Sequence, residues 1–90
     1  MKVKIENMTS KRSGREVPNQ FKIFTDEGVY FQSYRTVIAF RPYGGKLQLD
    51  EDKWNYSVTT SKYRNEFTGL TTKETEARIK SGEIVLVDLN

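Results

Sequence analysis

The chain is expected to adopt an α+β fold: a mainly antiparallel sheet of about five to six strands, with two short C-terminal helices packed on one face. Three observations predict it. Residues 2–49 divide into short β-branched and aromatic runs punctuated by Gly, Pro, Asp and Asn. Residues 59–81 switch to helical spacing, with hydroxyl-bearing starts and glycine stops. Residues 83–89 return to an unbroken apolar run. Ninety residues, 36% apolar and 30% charged, suit a single domain over 1–90 whose modest core draws on five Phe, five Tyr and one Trp.

Taken in order, Lys2–Glu6 alternates charged and apolar residues and reads as a strand. Residues 9–19 lose the alternation and read as a mobile basic loop carrying Lys11, Arg12 and Arg15. Gln20–Thr25 and Val29–Gln32 are strands joined at Asp26-Glu27-Gly28, with Gly28 free to take a positive φ. Ser33–Arg41 has both helical spacing and a β-branched, aromatic composition; it is read as strand, followed by a turn at Pro42–Gly45 and a strand at Lys46–Leu49. Asp50-Glu51-Asp52 is an acidic turn delivering Trp54.

The stretch Trp54–Phe67 reads as the junction of sheet and helix, its first part extended and its last part helical. Thr59, Thr60 or Ser61 is the expected N-cap, because a hydroxyl can accept from an unpaired N–H of the first turn. Tyr63, Phe67 and Leu70 form the apolar stripe, and Gly69 weakens the helix end. Thr71 and Glu74 have capping-box spacing; Glu74/Arg78 and Glu76/Lys80 are set for i,i+4 pairs; Gly82 stops the second helix. Glu83–Leu89 closes the chain as a strand suited to cover on both faces.

The composition excludes more than it assigns. With no Cys and no His, disulfides, thiol catalysis, Cys/His zinc sites and imidazole proton transfer are ruled out. Asp50-Glu51-Asp52 lacks the glycine and distal glutamate of a calcium loop. No catalytic residue, metal ligand or cofactor site is assigned. No run approaches the roughly 20 apolar residues of a membrane span, and the charged start does not resemble a signal peptide. A soluble protein that stays where it is made is expected.

The net charge is +3, with nine cations against four carboxylates in residues 1–46. That surplus permits an anionic partner without requiring one. Candidate anion or nucleic-acid contacts are Lys11, Arg12 and Arg15 on the loop, Arg35 and Arg41, and the cluster Thr59, Thr60, Ser61, Lys62 and Arg64 at the helix start, where dipole and cations add. Tyr30, Tyr34, Tyr43 and Tyr56 are candidates for base stacking or for a protein interface. Ordinary roles compete with each: a solvated charged loop, a plain helix cap, aromatics spent on the core.

Phe31-Gln32-Ser33-Tyr34-Arg35-Thr36-Val37-Ile38-Ala39-Phe40, followed by Trp54-x-Tyr56-Ser57-x-Thr59-Thr60-x-Lys62, resembles a family of short uncharacterised proteins of bacteriophages and related mobile elements. The resemblance extends from Gly14 through Phe67. Similar patterns place a His after the Lys, where this chain has Tyr63, which argues against an imidazole role there. The resemblance implies a phage-accessory origin in the cytoplasm of an infected bacterium and no defined activity. Two readings stay open. One is a non-enzymatic accessory protein that binds a host or defence protein, alone or as a homodimer. The other is a small nucleic-acid-binding protein with a basic, aromatic face.

Overall fold

Six strands, β1 (Lys4–Thr9), β2 (Glu16–Phe24), β3 (Gly28–Ser33), β4 (Thr36–Pro42), β5 (Gln48–Asp50) and β6 (Val85–Val87), lie in one sheet in chain order. Helices α1 (Val58–Thr68) and α2 (Thr72–Ser81) fall between β5 and β6. The computed structural model describes residues 2–90. Every neighbouring pair is antiparallel except β5–β6, because the helical crossover lets β6 enter alongside β5 in the same direction. The expected α+β architecture is therefore the observed one.

One core lies between the sheet and the helices. Met8, Phe31, Ile38, Ala39, Leu49, Tyr63, Phe67 and Ile84 form it, with Trp54, Leu70 and Ile79 packed against them. Phe31 of β3 stacks on Phe67 of α1 at 5.7 Å between centroids, so the predicted stripe on α1 does face the sheet. Two bulges adjust the sheet to this core. Ile38 is the extra residue where Phe31 and Gln32 of β3 face Ala39 and Val37 of β4, and it turns a second side chain inward beside Ala39. At the other shift the extra residues are on β2, where Val17–Gln20 stand opposite Met8 alone between the Asn7–Phe21 and Thr9–Glu16 pairs.

Several boundaries differ from the expectation. Ser33–Arg41 is not one strand: Ser33 pairs with Thr36 across a two-residue turn of Tyr34 and Arg35, and Tyr34 takes φ 57°. The loop expected over 9–19 contracts to 10–15, because Thr9 pairs with Glu16 and β2 starts there. Gly28 does not have a positive φ; it is glycine because a Cβ there would stand 2.3 Å from the Arg41 carbonyl oxygen. Residues 51–56 are turn, not extended chain. The α1 N-cap is Ser57, whose hydroxyl accepts from Thr60 N, and not Thr59, Thr60 or Ser61. Thr60 is instead drawn inward, 2.9 Å from the Ser33 hydroxyl in a buried pair.

At the second helix, the capping box of Thr71 and Glu74 forms as predicted, and Gly82 ends the helix in the left-handed region. Glu74 spends its carboxylate on the Thr71 N–H and does not pair with Arg78, which approaches Glu83 at 3.8 Å. Glu76 and Lys80 do not form an ion pair either; exposed long side chains gain little from one. β6 is an edge strand bordered only by β5, and it is not covered on both faces, since Val85 and Leu86, which point to opposite faces, are both exposed in part. Among the described residues no helix is long and apolar enough to cross a membrane.

Candidate functional site

The register of the sheet sorts its residues onto two faces, because laterally paired residues point the same way. The row Glu6–Lys22–Phe31–Ala39–Leu49–Leu86 faces the helices. The adjacent row Ile5–Ile23–Tyr30–Phe40–Gln48–Val85 therefore points away from them, one residue from every strand. Beside it on the same outer face runs Asn7–Phe21–Gln32–Val37.

Neither outer row holds a charged residue, in a chain that is 30% Asp, Glu, Lys and Arg. A sheet covered on one face ordinarily turns polar side chains to water on the other. Here the outer face also carries apolar residues at its centre, and none of them belongs to the helix-side core. Tyr30 and Phe40 stack at 4.2 Å and 22° in its middle, which leaves Phe40 nearly buried. Towards one edge Ile5 is 63% exposed, and towards the other Val85 is 39% exposed.

Asp50 is the nearest carboxylate on that side by strand parity, and it is spent on structure. Its oxygens accept from the Leu89 N–H at 2.9 Å, the Asn90 side-chain amide at 3.1 Å, and the Lys53 and Asp52 N–H groups. Burial pushes its pKa up, but these donors outweigh burial and hold it below the ordinary 3.8. Asn90 continues the clamp by exchanging two hydrogen bonds with the backbone of Val37. The chain end is thus tied back onto β4.

The predicted site residues are dispersed. Lys11, Arg12 and Arg15 are exposed in the β1–β2 loop, where Lys11 shares a hollow with Glu6, Lys22 and Glu66. Arg35 borders another with Asp50, Asp52 and Asp88. Arg41 lies on the helix side, its guanidinium 4.6 Å from the Phe67 ring centroid and donating to the Phe67 carbonyl. Tyr30 is in the outer row, Tyr34 in the β3–β4 turn, Tyr43 in the β4–β5 loop at the opposite end of the sheet, and Tyr56 just before α1.

At the start of α1 an open hollow is lined by Asn55, Tyr56, Ser57, Ser61, Lys62 and Asn65. Lys62 is exposed there, with its Nζ 5.3 Å from the Tyr63 ring centroid, while Thr59 is exposed but does not line the hollow. Ser61 donates to Asn55 Oδ1 at 2.9 Å. Arg64 does not reach the surface. It is fully buried, stacks on Trp54 at 5.1 Å, and donates to the Trp54 carbonyl, Asn55, Ser61, Asn65 and Thr72. Burial pulls its pKa down, with Glu76 opposing. Of the five residues expected to form one anion cluster, Thr60 and Arg64 are therefore buried.

What sequence reasoning missed is the outer row as one surface, and in it Ile5, Ile23 and Val85, with Phe21 and Val37 beside it. A signal was present. Val29-Tyr30-Phe31 and Val37-Ile38-Ala39-Phe40 are continuous apolar runs, and such runs in antiparallel strands mean that both faces avoid water.

No curated protein and no solved structure matches this chain. Residues 3–84, which take in all six registered positions of the inner row except Leu86 and the whole of both helices, match a described family. The chain belongs to DUF8033, a family of unknown function.

Proposed function

We propose that this chain is a small non-enzymatic protein that acts by binding another protein through the outer face of its sheet. One observation carries the reading: two adjacent registered rows on that face hold no charge and are mostly apolar. A contiguous surface of this kind, rimmed by polar loops, is costly in water and characteristic of protein docking. The distribution of cations favours it over a nucleic-acid face, since Arg64 is buried, Arg41 is held on Phe67, and Lys11 and Arg35 sit among carboxylates. A phosphate backbone needs cations free to converge on it.

The finer part of the proposal comes from the resemblance over residues 14–67: a phage-accessory factor meeting a host or defence protein in the cytoplasm of an infected bacterium. The test is capture from bacterial lysate on the tagged full chain, with and without nuclease, beside Ile23→Lys. The expected result is a protein retained by the unsubstituted chain after nuclease treatment and lost by the variant. Retention that disappears with nuclease, or that is equal for both chains, would overturn the proposal.

A further inference from the structure

We propose that a second copy of this chain covers the outer sheet face of the free protein, forming a face-to-face homodimer that a binding partner must displace. The inference rests on the reading of that face as a docking surface and names its resident occupant.

Size is the first argument. Six strands at about 4.8 Å spacing, the longest of nine residues at about 3.3 Å each, give a sheet face of roughly 25 by 30 Å. That offers a footprint of up to roughly 700 Å², close to the value of about 800 Å² per partner in a stable complex. Charge is the second. A twofold interface sets one patch against itself, so any charge near its axis meets its own like. The molecule carries +3 overall, yet the row Ile5–Ile23–Tyr30–Phe40–Gln48–Val85 carries none. A face matched to a basic or acidic partner would carry the opposite charge; a neutral face is complementary to its own copy.

Geometry is the third. Two twisted sheets pack readily face to face at about 10 Å, their side chains interdigitating. Tyr30 and Phe40 lie on the two middle strands, where a twofold axis would pass, and Gln48 supplies a polar group able to pair across it. The face would then become the second core of a four-layer assembly, helix–sheet–sheet–helix.

Sedimentation equilibrium on the full chain tests this across roughly 1–200 µM, the range that reads micromolar affinities. Ile23→Lys places a charge within the row on β2, and Ile5→Lys places one at its β1 edge, where the side chain is already 63% exposed, so its fold is preserved. Circular dichroism confirms folding, and Lys73→Glu on α2 serves as the control off the face. The expected result is a dimer whose dissociation constant rises roughly tenfold or more in both outer-face variants and is unchanged in the control.

A monomer throughout, or a dimer indifferent to both outer-face variants, overturns the inference. If the chain is monomeric while Ile23→Lys still abolishes capture from lysate, the second copy is wrong and the docking face stands. If the dimer forms through this face and no other protein is captured, the second copy stands and the proposed function falls.

Discussion

Arg64 takes a full charge into the interior, and among the described residues no carboxylate lies within ion-pair distance of it. It is tolerated because five acceptors from the 51–56 turn, α1 and the start of α2 converge on its two terminal nitrogens. Its Nε has no partner. Truncation would orphan those acceptors together, so Arg64→Ala is expected to cost about 3 kcal/mol in urea denaturation. Arg64→Lys should recover little of it, since one ammonium cannot reproduce the planar fork. Gly28 answers to a different constraint, the approach of the β4 backbone. Gly28→Ala is expected to cost about 2 kcal/mol or more, because the added methyl meets backbone atoms of Arg41 and Pro42 that cannot swing aside.

Among the elements, α1 shows how a short helix is delimited. Ser57 caps it and Gly69 ends it at φ 76°. Ser57→Ala is expected to lower the melting free energy by about 1 kcal/mol, while Thr59→Ala, exposed and one residue inside the helix, should stay within about 0.5 kcal/mol. The β5 end carries a pH dependence. Asp50 has a depressed folded pKa, so its stabilisation is complete above the ordinary 3.8 and is lost as pH falls through the folded value. Thermal melts from neutral pH downward should therefore show stability falling in acid, and Asp50→Asn should be less stable at neutral pH with a shallower acid fall. Hydrogen exchange at Leu89 should quicken in that variant, because its N–H bond to Asp50 is weakened.

For the whole molecule, the decisive asymmetry is between the two faces of one sheet. The inner face is closed by α1 and by residues of α2; among the described residues neither helix packs on the outer face, and the last residues turn back onto β4 at Val37. Because Ile5 and Val85 are exposed in the single chain, the double substitution Ile5→Lys/Val85→Lys should leave the monomer's unfolding free energy within about 0.5 kcal/mol, measured at concentrations too low for association. The same variant should stay soluble at concentrations where the unsubstituted chain associates, since it breaks the apolar row at both ends.

Fold class, most of the element order and the second helix's capping box were readable along the chain, because alternation, helical spacing and cap chemistry are local properties of neighbouring residues. The tertiary structure alone decided three things. Arg64 went inside because acceptors from three separate segments happened to meet there. The turn fell at Tyr34-Arg35 because Asn19, on another strand, accepts the Tyr34 N–H. The outer row exists only once six strands align in register, so residues as far apart as Ile5 and Val85 become one surface by pairing and by no pattern within either segment.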